Sequence, residues 1–307
     1  MSFRVRFALA GVAALALTAC GPTATEADDD GDAGAGWGAD ANSGGGEGGP
    51  IDQPPPDNCS EAAKLVYVVA DDGHMLSFSP RTSPPTIVDL GALSQCPVQS
   101  GDSPFSMGID RDAIAWVLSN AGTLYRIEIQ NGLACTNAGM TPNQQGFKLF
   151  GMGFVTNDVG TTLDTLYIAG GEGPGSGTPA TLATMSFPDL IVHPQQQLSG
   201  WPELTGNANA ELWGFFPDTT PPKIAKINKA TGAEDPSFPL EALQGSPTAW
   251  AFAFWGGDFF LFDQTATAPS SAIYRLDPDT GTTDTLVADS GYTIVGAGVS
   301  TCAPLIW

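Results

Sequence analysis

The sequence predicts an all-β fold in which one strand-turn-strand unit recurs five times around a closed ring, the plan of a single β-propeller with four-stranded blades. Three observations predict it. The first is the stretch from Ala272 to Val287: Ile273, Tyr274 and Leu276 are β-formers, Asp277 to Gly281 supply turn chemistry, and Thr283 to Val287 resume an extended pattern. The second is recurrence. Leu76-Ser-Phe-Ser-Pro80, Leu124-Tyr-Arg-Ile-Glu128, Leu182-Ala-Thr-Met-Ser186 and Ile224-Ala-Lys-Ile-Asn228 each follow an apolar strand and a break. The third is punctuation: 38 Gly and 25 Pro in 307 residues keep the apolar runs short after the leader, which fits an all-β chain.

Taken in order, the expected elements form one unit: a small-residue inner strand, an apolar strand, the Leu-Tyr-Arg-like strand, a turn and a polar outer strand. The second copy is the cleanest, with Ser106 to Asp110, Ala113 to Leu118, Thr123 to Ile129 and Leu133 to Ala138. The third has Gly151 to Val155, Thr165 to Ala169, a Gly/Pro loop from Gly170 to Pro179, and Thr181 to Phe187. Ala210 to Phe216 and Lys223 to Ile227 belong to the fourth, and Ala251 to Phe254, Asp258 to Phe262 and the Ala272 stretch to the fifth. The first copy begins at its second strand, Leu65 to Val69. Its missing inner strand is expected at the far end of the chain, in Tyr292 to Val299, so that both termini build one blade and close the ring.

Spacing sets the blade count. Leu76, Leu124, Leu182, Ile224 and Ile273 lie 48, 58, 42 and 49 positions apart. The mean, about 49, suits a four-stranded blade, and five blades need about 246 residues; Cys59 to Trp307 supplies 249. In its Leu/Tyr-Arg-Leu-Asp-Pro strand ends followed by Thr-Gly, clearest at Tyr274 to Gly281, the chain resembles bacterial β-propellers of the YVTN, NHL and quinoprotein-like kind. Quinoprotein dehydrogenases of that kind place a vicinal Cys pair against their cofactor. This chain has no such pair, and no cofactor is expected.

The N-terminus reads as a targeting segment. Arg4 and Arg6 precede an apolar run from Phe7 to Leu17 that ends in Leu17-Thr-Ala-Cys20, so residues 1–19 form a signal peptide too short to span a bilayer. Leu-Thr-Ala-Cys resembles the bacterial lipobox, which implies cleavage before Cys20 and acylation of that residue. Gly21 at the next position, rather than the Asp of inner-membrane retention, points to the outer membrane or cell surface. Residues 20–58 then form a tether with nine acidic residues and no Lys or Arg, a composition that does not support a packed core. Its run Asp28-Asp-Asp-Gly-Asp32 fails the EF-hand pattern at Ala33 and Ala39. Residues 59–307 are the propeller.

A formal net charge of -22 disfavours nucleic acid, whose phosphates call for a basic surface. Cys59, Cys96, Cys135 and Cys302 remain after Cys20, an even number in an exported chain, and four cysteines allow three pairings. The ring selects among them: Cys59 precedes the first blade's second strand and Cys302 follows its inner strand. That pair locks the closure, and Cys96 joins Cys135. The long loop between residues 59 and 302 makes the first bridge worth on the order of 4 to 5 kcal/mol by chain entropy.

Catalytic motifs are sparse. His74 falls in a turn and His193 in an outer strand or loop, neither with a partner at motif spacing, and no CxxC or metal-ligand spacing is present. Gly151-Met-Gly153 and the loop Gly170 to Gly177 lack the residues of a phosphate loop, and Asp71-Asp72 and Asp277-Pro-Asp279 fit hairpin turns. Trp116, Trp213, Phe215, Phe216, Phe252, Phe254 and Trp255 are expected on or beside inner strands, packing blade to blade or stacking sugars or peptides at a pore mouth. The leading expectation is a non-enzymatic binding module for an envelope protein, peptide or carbohydrate. The alternatives are a lyase or glycoside hydrolase with several acids converging in the pore, and a structural partner of an envelope complex with an exposed apolar patch.

Overall fold

In the stretch from Ala272 to Val287, strand residues and turn residues divide the work as expected. Asp277 accepts the N–H groups of Asp279 (2.9 Å) and Thr280 (3.2 Å), and Gly281 takes φ +70°, so the chain reverses between two strands. Across that turn Leu276 pairs with Thr283 and Arg275 with Asp284, with a bulge after Ile273.

The computed structural model describes residues 59–93, 96, 101–243 and 245–306; the expected leader (1–19), Cys20 and tether (20–58) lie outside them. After a single 3-10 turn at Ala62–Lys64, the strands run in chain order. Blade 1 contains β1 (Val66–Ala70), β2 (His74–Ser79) and β3 (Thr86–Ala92). Blade 2 contains β4 (Pro104–Ile109), β5 (Ile114–Ser119), β6 (Leu124–Glu128) and β7 (Ala134–Asn137). Blade 3 has β8 (Leu149–Thr156), β9 (Asp164–Gly171), β10 (Thr181–Met185) and β11 (Val192–Gln197). Blade 4 has β12 (Glu203–Gly206), β13 (Leu212–Phe216), β14 (Lys223–Ile227) and β15 (Glu234–Pro239). Blade 5 has β16 (Pro247–Trp255), β17 (Asp258–Thr265), β18 (Ala272–Asp277) and β19 (Thr282–Val287), and β20 (Ile294–Gly298) ends the series.

The strands assemble into five four-stranded antiparallel sheets, a five-bladed β-propeller. β20 pairs with β1, Tyr67 opposite Gly298 and Val68 opposite Ala297, so the ring closes through one blade built from both ends of the domain. Two disulfides fix the chain: Cys59 to Cys302 at that closure (Cα–Cα 5.9 Å) and Cys96 to Cys135 around blade 2 (5.0 Å). Disulfides of this kind are consistent with an exported protein.

The core is five separate interfaces rather than one centre. Between blades 5 and 1 pack Phe78, Phe260, Phe262 and Ile273; between 1 and 2, Tyr67, Met107 and Tyr125; between 2 and 3, Phe150, Met152 and Leu166. Leu182, Leu204 and Phe216 fill the interface of blades 3 and 4, and Phe215, Phe252 and Phe259 that of 4 and 5. Near the axis the blades approach too closely for side chains. A Cβ on Gly151 would overlap the Pro202 carbonyl oxygen, and one on Gly206 the carbonyl oxygen of Phe154. The glycine and alanine bias of the inner strands follows from that approach.

The aromatic residues lie on or beside inner strands as expected: Trp213, Phe215 and Phe216 on β13 and Trp116 on β5, second strands paired directly with the inner strands β12 and β4, and Phe252, Phe254 and Trp255 on the inner strand β16. The inner strand of blade 4 is β12, four residues that open with a glutamate and carry no apolar run. Outer-strand exposure is also as expected: β3, β7, β15 and β19 show mostly exposed or half-buried residues.

Candidate functional site

All five inner strands run the same way along the axis, so their first residues share one mouth of the ring, here the upper face. Because neighbours within a blade are antiparallel, the β9–β10 and β13–β14 loops reach this same face. The chain enters and leaves at the other: Cys59 precedes β1, Cys302 follows the end of β20, and both stand at the lower mouth.

Glu203, first residue of β12, occupies the upper mouth and is 3% exposed. Among inner-strand residues it is the one acid, where the enzymatic alternative calls for several. Its Oε1 accepts the Ser106 hydroxyl of blade 2 at 2.5 Å and the Met152 N–H of blade 3 at 3.4 Å, so one side chain joins three blades. Burial pushes its carboxyl well above the usual range, opposed by those two donors. Two residues further along the same strand the Phe254 N–H donates to Thr205 Oγ1 at 3.1 Å, linking blade 4 to blade 5.

Glu203 borders a cavity of about 260 Å³ with Pro104, Phe105, Asn120, Trp250 and Val295, all from the upper mouth. A groove of about 550 Å³ adjoins it between blades 4 and 5, and the two share Pro174 and Trp250. Trp201 and the prolines Pro217, Pro221, Pro222 and Pro247 wall the groove; Asp218 and Glu241 carry its charge. Asp218 accepts the Trp201 N–H through both oxygens (3.0 and 3.1 Å), and the Trp201 indole donates to the Thr178 carbonyl at 2.7 Å. The loop between β9 and β10 thus shapes the site through Pro174 and Thr178.

Behind Trp250 lies a second buried acid. Asp263 on β17 pairs in register with Trp250 on β16, so both side chains leave the same face of the sheet, toward blade 4. Asp263 is 4% exposed, its Oδ1 has no hydrogen-bond partner among the described residues, and burial raises its carboxyl to about 6. Tyr274 on that face is pushed up by burial and then by the Asp263 charge.

The lower mouth is tied by a polar cluster. Thr301 Oγ1 donates to Asp164 Oδ2 at 2.6 Å, Arg111 Nη1 to Thr301 Oγ1 at 2.8 Å, and Arg111 Nη2 reaches Cys59 Sγ at 3.3 Å. Burial raises the Asp164 carboxyl, opposed by Thr301 and Arg111.

The two histidines lie apart from these features. His74 opens β2 with Nδ1 2.9 Å from Asp89, and exposed His193 sits in the outer strand β11. Among the described residues no group of three or more His, Cys, Asp or Glu could hold a metal ion. Glu203, Trp250 and Asp263 are absent from the sequence-level candidates. The available signal was the proline density from Pro217 to Pro222 and at Pro247, which marks loops converging on one rim.

No family model matches the chain, and no curated protein matches it. Solved structures do resemble it. A nidogen/laminin complex aligns at TM-score 0.46 and 13% identity over 76% of this chain and 97% of that one. TolB from Acinetobacter baumannii aligns at 0.44 and 12% over 73% of this chain and 52% of TolB. A protein of unknown function from Bacteroides caccae aligns at 0.42 and 11%, over 76% and 84%.

Proposed function

We propose that this protein is a lipoprotein acylated at Cys20, held at the outer membrane by the tether of residues 20–58, and that its propeller is a binding module using the upper-face groove. The observation that carries the reading is polarity. The chain enters the ring at Cys59 on the lower face, whereas the groove and its adjoining cavity open on the upper face; a separate cavity of about 360 Å³ beside Pro80 to Pro85 opens on the lower face. The first described residue of the domain thus lies on the face opposite the groove. The walls also suit binding: proline-rich loops are stiff, so little conformational entropy is lost when a ligand docks.

The test is made on protein extracted from its native membranes. Intact mass should show acyl chains on an N-terminal Cys20, and Cys20→Ser should move the protein to the soluble fraction. An uncleaved or unacylated N-terminus sinks the anchor. Retention of envelope ligands by Trp250→Ala at wild-type level sinks the groove.

A further inference from the structure

The groove's chemistry narrows its ligand, on the premise that the groove is the binding surface. Its wall is rich in prolines and, among the described residues, bears carboxylates without a cation. Pro174, Pro217, Pro221, Pro222 and Pro247 have no N–H to offer. Three carboxylates border the two cavities, Asp218 and Glu241 in the groove and Glu203 at the pore mouth, and no Lys, Arg or His stands among the described lining residues. The Trp201 backbone and indole N–H groups are already committed to Asp218 and Thr178.

Asp263 is the independent observation. It is a carboxylate more than nine-tenths buried, with one oxygen lacking a donor, on the same sheet face as Trp250, one of the two residues common to both cavities. Buried polar atoms are nearly always paired, and this orphaned acceptor, one strand behind the wall residue Trp250 and outside the lining of either cavity, would be satisfied by an added donor. A planar cation meets every requirement: it stacks on the Trp250 indole, offers several N–H donors at once, and is drawn by acids on the rim and behind the wall.

We propose that the upper-face groove takes an arginine-bearing, extended basic peptide, its guanidinium seated at Trp250 between the Glu241 rim and Asp263.

The test titrates the oxidised domain calorimetrically with tri-arginine, tri-glutamate and maltotriose, using wild type, Trp250→Ala, Glu241→Gln, Asp263→Asn and Asp189→Asn. Asp189 is exposed on the β10–β11 turn at the lower face, so its variant makes the same charge change away from the groove. One tri-arginine per chain is expected, weakened about tenfold or more by Trp250→Ala and by Asp263→Asn, less by Glu241→Gln, and unchanged by Asp189→Asn. Glu241→Gln alters an exposed side chain, so it reads out binding even where Trp250→Ala fails to fold. Absence of saturable tri-arginine binding, or equal weakening by Asp189→Asn, overturns the proposal, the latter by showing diffuse attraction to an acidic protein. Maltotriose or tri-glutamate binding that Trp250→Ala abolishes keeps the groove and overturns the cationic ligand. Binding indifferent to Trp250→Ala and Glu241→Gln removes the groove itself.

Discussion

Replacing Asp263 with asparagine should stabilise the propeller, and by an amount that depends on pH. The carboxyl titrates near 3.8 in an unfolded chain and at about 6 in the folded one, because burial penalises the charged form and no donor offsets the penalty at Oδ1. The folded state therefore binds the proton more tightly. This group's favourable contribution is present in full below pH 3.8 and is lost as pH rises through about 6. At about 1.4 kcal/mol per tenfold change in proton affinity, the ionised carboxylate costs the folded state about 3 kcal/mol at pH 8. Asparagine has nearly the same shape and does not ionise. Asp263→Asn should thus match wild type near pH 4 and exceed it by about 3 kcal/mol at pH 8, or about 6 to 12 °C in Tm for a domain of this size. Thermal unfolding of the oxidised domain followed by circular dichroism from pH 4 to pH 8 measures this. A difference that stays constant across that range, or a variant less stable than wild type at pH 8, refutes the argument that burial alone sets this titration.

Glu203→Gln keeps an acceptor for the Ser106 hydroxyl and removes a proton site that burial has raised; the loss of stability with rising pH should flatten in this variant and equally in Glu203→Ala, which should lie about 1 to 3 kcal/mol below Glu203→Gln at every pH by leaving Ser106 unpaired. The bridge from Cys59 to Cys302 spans 243 positions and that from Cys96 to Cys135 spans 39. Chain entropy gives them about 5 and 4 kcal/mol, so the Cys59→Ser, Cys302→Ser double variant should unfold at lower denaturant than its counterpart at 96 and 135. Arg111→Met removes the cation opposite Asp164, a pair whose side chains are 14% and 8% exposed. Asp164 keeps the Thr301 and Thr156 hydroxyls as donors, so the loss should be about 1 to 3 kcal/mol in denaturant titrations.

The sequence was legible where local chemistry repeats and silent where geometry gathers distant residues. Tyr274 to Gly281 announces a hairpin because β-formers, an Asx turn and a glycine act within eight positions. Ring closure was readable for a related reason: a small-residue strand missing before Val66 and present before Val299 has one place to go. Glu203 was not readable. Its significance lies in Ser106 and Met152, 97 and 51 positions away, and β12 is too short and too polar to carry a strand pattern of its own. Asp263 was hidden differently. In Phe259-Phe-Leu-Phe-Asp263 it reads as the polar end of a core strand, and only register opposite Trp250 turns it toward blade 4.

The same register makes a last prediction, in which stability and binding oppose each other at one carboxylate. Asp263 left unpaired weakens the fold above pH 6, yet a guanidinium at Trp250 would supply the missing donor and charge. Ligand binding and proton binding then compete at Asp263, so tri-arginine should raise the Tm of wild type more at pH 8 than at pH 5. The other ionisable groups facing this region are Tyr274 on the same sheet face and Glu203, Asp218 and Glu241 around the cavities. All of them persist in Asp263→Asn, so subtracting that variant's pH profile isolates the Asp263 contribution. If the two profiles coincide, the ligand does not reach Asp263, and the buried acid must be explained by the packing of blades 4 and 5 alone.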